Sequence, residues 1–257
     1  MEGTVNELLN LLFRWLHIIA GILWIGHLWY FNFVNSQVAK TYDEDSKKKV
    51  IPELMPRALF WFRFGAAFTW ITGFLLLGMV YYGGGVTVEP DQSLGLAIGC
   101  GIGAMLVGWV IYDLLWKRMA KNEVAGTVVS FVLLAGAAYG LREVMSGRAM
   151  FIHIGAIFGT IMLNNVWNRI WPNQRKMISA AKEGTPAPEG VAATAALRSK
   201  HNTYLSIPLL FFMISNHYPT IYGDNLNWLY ALLFVLIGWL ITKRLYSLST
   251  KPATTKY

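Results

Sequence analysis

The chain has 257 residues, 55% of them hydrophobic and only 14% charged, with a formal net charge of +8. A soluble domain carries about a quarter charged residues, so a water-soluble globular protein is excluded, and a lone cysteine, Cys100, excludes a disulfide or Cys-based metal framework. The excess positive charge gathers between apolar runs, so it calls for no nucleic-acid partner.

Seven apolar runs follow one another along the chain. The first, Leu8 to Val34, is too long for a signal-peptide core and has its strongest basic cluster after it, so it is expected to remain as a span. Ala58 to Tyr82 is the second. Gly83-Gly84-Gly85 and then Val-Thr-Val-Glu-Pro-Asp predict a turn with a short extended piece. The third run, Leu94 to Trp116, carries the stripe Gly95, Gly99, Gly103, whose usual meaning is close helix packing. Val124 to Leu141 and Arg148 to Ile170 follow, the latter with Gly155 and Gly159 at the same spacing. In the loop 171–202, Gly184-Thr-Pro-Ala-Pro188 separates two short helices, a hairpin too small to be a domain of its own. The sixth run, Thr203 to Tyr218, is short and contains Pro208; the seventh is Leu226 to Tyr246. Most of these meet the roughly 20 residues needed to cross a bilayer. The predicted fold is therefore all-α: a single membrane domain over 1–257, a polytopic bundle of about seven transmembrane helices.

Orientation follows from Lys and Arg. The flanks 35–57, 117–123, 171–202 and the tail after span seven, taken with Lys243 and Arg244, hold 17 of them, and the opposite flanks, taken with Arg148, hold 2. The positive-inside rule then puts the C-terminus and the 171–202 hairpin in the cytoplasm and the N-terminus outside. Anionic lipid on the cytoplasmic leaflet favours the same arrangement. This is the pattern of a multi-pass protein of a bacterial inner (cytoplasmic) membrane.

Ionisable groups in a bilayer are costly, so those inside the spans carry the functional information. In the outer half lie His17, roughly 13 Å deep by helical rise, His153, roughly 8 Å deep, and His217 close to the surface. Three imidazoles converging at one level suit a metal or heme iron; the plain alternative is that each ring bonds a neighbouring helix. In the inner half lie His27, Arg63, Asp113 and His201. His27 is ten residues beyond His17, roughly 15 Å along the helix and 80° around it, so the two cannot share an iron. His27 could join His201 at a second heme or pair with Asp113. Arg63 and Asp113 lie at similar depth and are expected to form an ion pair, with Asn164, Asn165 and Asn168 as polar links between helices.

Three segments carry a resemblance: Arg14-Trp-Leu-His-Ile-Ile-Ala-Gly-Ile-Leu-Trp-Ile-Gly26, then Ile152-His-Ile-Gly-Ala-Ile-Phe-Gly-Thr-Ile-Met-Leu-Asn-Asn-Val166 with Pro172-Asn-Gln-Arg175, and His201 through Pro219. Together they resemble the bacterial membrane-bound, cytochrome c-linked urate oxidase (urate hydroxylase) family along nearly the whole chain. The resemblance implies a helical membrane domain that oxidises urate and passes electrons to a cytochrome c. His17, His153, His201 and His217 match the family pattern, while His27 stands where a small residue is expected. The stretch Leu-His-Ile-Ile followed by Trp and Gly is also similar to the first span of membrane-type, heme-binding protoporphyrinogen oxidases. The family's typical member continues into a periplasmic cytochrome c domain, whereas this sequence ends at Thr250-Lys-Pro-Ala-Thr-Thr-Lys-Tyr257 and has no Cys-x-x-Cys-His. The expected activity is thus that of a heme b oxidoreductase using a separate cytochrome c. The alternative is a heme-bearing or structural subunit of a larger respiratory complex with no substrate of its own. A transporter is disfavoured, because its charges should lie near the midplane rather than in two layers.

Overall fold

The computed structural model describes residues 2–251, all-helical apart from turns and short loops. Lys256, counted in the basic C-terminal flank, lies outside the described residues. The main helices are α1 (Glu2–Trp29), α2 (Glu44–Leu76), α3 (Leu94–Arg118), α4 (Glu123–Val144), α5 (Gly147–Asn165), α6 (Trp171–Glu183), α7 (Val191–Ser215), the short α8 (Pro219–Tyr222) and α9 (Asn227–Ser249). Three π-helical turns extend them: Tyr30–Asn35 after α1, Leu77–Tyr82 after α2 and Val166–Ile170 between α5 and α6.

Local chemistry sets the helix starts. Ser93, Asn122 and Ser146 each accept a hydrogen bond from the backbone N–H three residues on, using donors the first turn leaves free. Asp43 caps α2 in the same way, and its bonds from Ser46 hold its carboxyl below the usual range. Gly184 ends α6 in the left-handed region, at φ 67°, where a side chain would be strained.

Six helical stretches among the described residues are long and apolar enough to cross a membrane: α1, α2, α3, α4, the continuous α5–α6 rod and α9. The seventh expected span is part of α7, which starts at Val191 rather than Thr203. Its first turns carry Arg198 and Lys200, so its composition falls short of the other six. It nevertheless packs inside the bundle, against α5, α9 and α6. The two arms on either side of Gly184 are continuous with the bundle helices α5 and α7.

The α5 rod is the centre of the molecule. Of its most apolar stretch 72% is buried, against 17–33% for the other five. Helix α1 lies antiparallel on α2, where Gly65 lets the backbones touch: a Cβ there would come within 3.0 Å of the Trp24 nitrogen. Pro208 of α7 nests against Gly238 of α9. The glycine stripe in α3 does not act as expected. Gly95, Gly99 and Gly103 face open space, whereas Gly101, off that stripe, faces α5. Gly155 does pack tightly, on Phe212 and Met213 of α7. The Gly83–Gly85 turn leads to a segment that pairs in no strand among the described residues; it docks through Val86 and Thr87 carbonyls onto Ser146.

Replacing Gly65 by Val should cost about 1–3 kcal/mol of stability, because backbone on α1 cannot move aside. Thermal unfolding in detergent would show it as a lowered midpoint; an unchanged midpoint would mean α1 and α2 are not so closely joined.

Candidate functional site

His17 turns from α1 onto α2. Its Nδ1 lies 2.9 Å from the Thr69 carbonyl oxygen and 3.1 Å from the Thr72 hydroxyl. A carbonyl only accepts, and the Thr72 hydroxyl spends its proton on the Phe68 carbonyl, so Nδ1 carries the hydrogen and Nε2 the lone pair. The facing residue is Gly73, where a Cβ would come within 2.9 Å of the ring.

His153 repeats this arrangement on α5. Its Nδ1 donates to the Ala149 carbonyl at 2.7 Å, and Nε2 accepts from the Tyr82 hydroxyl at 2.9 Å. The ring is wholly buried and presses on Gly101 of α3, where a Cβ would fall 2.5 Å from Cδ2. Each imidazole thus occupies a notch that only glycine leaves open. Tyr82 comes from the π-helical turn after α2, an irregularity common at functional sites.

The other three histidines are placed differently. His27 donates from Nδ1 to the Leu23 carbonyl of its own helix at 2.7 Å and is bonded to neither His201 nor Asp113. His217 is exposed, just past the last turn of α7. His201 bonds through Nδ1 to the Tyr112 hydroxyl at 2.8 Å and lies on Trp116, ring centroids 4.0 Å apart. His17, His153 and His217 do not form one three-histidine group. Among the described residues, no three His, Cys, Asp or Glu side chains come close enough to hold a metal ion. His17 lies against α2 and His153 against α3 and Tyr82, while His217 stands beyond the end of α7.

The basic half holds a dense polar cluster. Asp113, 4% exposed, receives both oxygens' worth of contacts from Arg169 at 2.8 and 2.6 Å, one from Arg198 at 3.0 Å and one from Lys117 at 2.9 Å. The expected Arg63–Asp113 pair is therefore not formed. Arg63 instead bonds the Leu59 carbonyl of its own helix and lies over Trp171, 3.6 Å from the ring centroid. Beside Asp113, Tyr112 links His201 to Asn165, which bonds Asn202, which in turn bonds the Met162 carbonyl. Asn165 is an inter-helix link, as expected, and its partner Asn202 is one that was not expected; Asn164 and Asn168 bond one another along the α5 rod.

Several members of these sites were not evident from the residues alone. Tyr82, Gly73 and Gly101 carry no motif. Arg198 looked like a loop residue because it stands in a charged stretch, yet it is 2% exposed. Arg169 lay within a predicted span, and a charge in that position was the available signal.

A family model described as urate oxidase N-terminal matches residues 3–51 and 41–256. No curated protein and no solved structure matches the chain.

Asp113→Asn leaves the buried Arg198 guanidinium without its counter-charge, which should cost about 3–5 kcal/mol. Detergent-solubilised variant should unfold at markedly lower temperature than Glu53→Gln, which removes an exposed partner of Arg57. Equal midpoints for the two variants would contradict the assigned role of Asp113.

Proposed function

We propose that this chain, which belongs to the urate oxidase N-terminal family, is a heme b-containing membrane oxidoreductase that oxidises urate and hands the electrons to a cytochrome c outside these 257 residues. The single observation that carries the heme reading is the state of two imidazoles. At both His17 and His153 a backbone carbonyl holds the Nδ1 hydrogen, which fixes the tautomer; the His17 Nε2 lone pair is left open, and that of His153 faces the Tyr82 hydroxyl. Such a second partner is what orients a metal-bound histidine. The donor set therefore fits heme iron, and each ring has beside it a glycine where a Cβ would intrude.

His17 and His153 would hold the iron, with His217 as the exposed alternative at the same end. His201 and His27 are the residues for a second heme; His27 has its Nδ1 fixed in the same way. A bound heme supplies single-electron steps to a one-electron carrier. The chain's own residues do the rest. Thr69 and Thr72 keep His17 from turning, and the Tyr82 hydroxyl holds the place at His153 Nε2 that the iron would take. The buried surroundings of His153 exclude water. With a single cysteine, the chain has no attachment pair for a c-type heme, which supports a carrier beyond these residues. The 17-to-2 distribution of basic residues supports a bacterial cytoplasmic membrane with the His17 and His153 end facing outward.

Protein purified from its native membrane should show a b-type Soret band, and His17→Ala and His153→Ala should each lose it; a full band in both variants would sink the assignment. Thr72→Val, which removes a partner of the ligand rather than the ligand, should weaken heme retention about 10-fold. Urate should reduce added cytochrome c in the wild type. Heme without urate-driven reduction would leave an electron-transfer subunit instead of an oxidase.

A further inference from the structure

We infer that the groove between α2 and α6, at the basic end of the bundle, binds the phosphate headgroup of an anionic lipid, with Arg63 and Arg175 gripping it. The starting point is a charge without a counter-charge. Asp113 is taken by Arg169, Arg198 and Lys117, so the acid expected to neutralise Arg63 is committed elsewhere. Arg63 is half-buried within α2, its guanidinium over the Trp171 ring and within 5.5 Å of the Trp167 ring centroid. Arg175, one turn beyond Trp171 on α6, lies over the same indole at 5.8 Å. Lys176 follows it. None of these three cations has an acidic partner within salt-bridge distance among the described residues.

Two guanidiniums gathered at one indole repel each other, and the packing of α2 on α6 keeps them there. An anion placed between them removes that repulsion. Planar guanidiniums with free N–H groups suit phosphate oxygens in pairs. On its other side, Arg175 with Lys176 borders a surface cavity of about 530 Å³ that α6 forms with Thr185, Pro186 and Pro188, which has room for the rest of a headgroup. Glu183 also lines this cavity and disfavours an anion beside it.

A lipid is favoured over free phosphate by the aromatic side chains that run along α2 past Arg63. Phe60, Phe64 and Phe68 recur at four-residue spacing, their rings within 4.7 and 6.5 Å of one another, and Phe60 and Phe68 are exposed. Phe64 stacks edge-on against Trp167 and also lies under the Arg63 guanidinium. A charged grip at the interface thus continues into an apolar track for an acyl chain. The face is the one that the basic loops mark as cytoplasmic, where anionic lipids gather and basic pockets between helices bind their headgroups.

The test uses the full chain in nanodiscs of phosphatidylcholine with or without phosphatidylglycerol, and counts phosphatidylglycerol retained on the released protein by native mass spectrometry. The wild type should keep phosphatidylglycerol; Arg63→Gln and Arg175→Gln should each retain it about five-fold less. Arg57→Gln, whose side chain is exposed and paired with Glu53, should behave as the wild type. Arg175→Gln and Lys176→Gln alter exposed positions on α6, so they carry the test should Arg63→Gln fail to fold. Undiminished retention in Arg175→Gln, equal retention of phosphatidylcholine, or displacement of the lipid by inorganic phosphate at matched concentration would each overturn the inference.

Discussion

Asp113 is one carboxylate in the interior of a largely apolar bundle, and the arrangement of the basic half follows from how its charge is compensated. A buried carboxylate is tolerated only with well-aligned cations and hydrogen bonds. Arg169 meets it with two parallel N–H groups from the π-helical turn after α5, Arg198 reaches it from α7, and Lys117 comes from one turn along α3. Three helices are thereby tied at one height. The charged first turns of α7 can sit inside the bundle because Arg198 has this partner. Tyr112, next in the chain, is stacked under Arg198 and carries the bond to His201. The committed acid also explains why Arg63 relies on indole rings.

Much of the architecture was legible in the residue string, and the reason is solvent. Lipid demands long apolar helices, and a run such as Leu94 to Trp116 has no other plausible fate. The height of each polar group followed from counting residues at helical rise. What counting does not give is the direction in which a side chain points and which helices are neighbours. Arg63 and Asp113 do lie at similar height, but the main contacts of α2 are with α1, α6 and α5, not α3. The same blindness to azimuth made Gly95, Gly99 and Gly103 look like a packing stripe, while Gly101 does the packing. It also hid the true start of α7: Arg198 and Asn202 are polar enough to look like loop, and only their partners on α3 and α5 make them interior residues.

The two outer histidines show how little sequence such a site requires. Each ring is fixed by a carbonyl, one from its own helix and one from the neighbour, and a carbonyl is available at any position. What the chain must supply is room, and it does so with single glycines, Gly73 and Gly101, on the facing helices. Neither belongs to a recognisable motif. Their importance appears only when the helices are placed together.

The π-helical turn Leu77–Tyr82 amounts to one surplus residue wound into the end of α2. It advances the azimuth of everything beyond it without lengthening the helix by a full turn. Were the coil tightened to regular α geometry by loss of that residue, the two tyrosines would swing by about 100°. Tyr82 would leave the His153 ring and Tyr81 would leave its buried seat. Chains of this kind should therefore keep their length between Gly73 and Gly83 fixed even where the side chains along that stretch are free to drift.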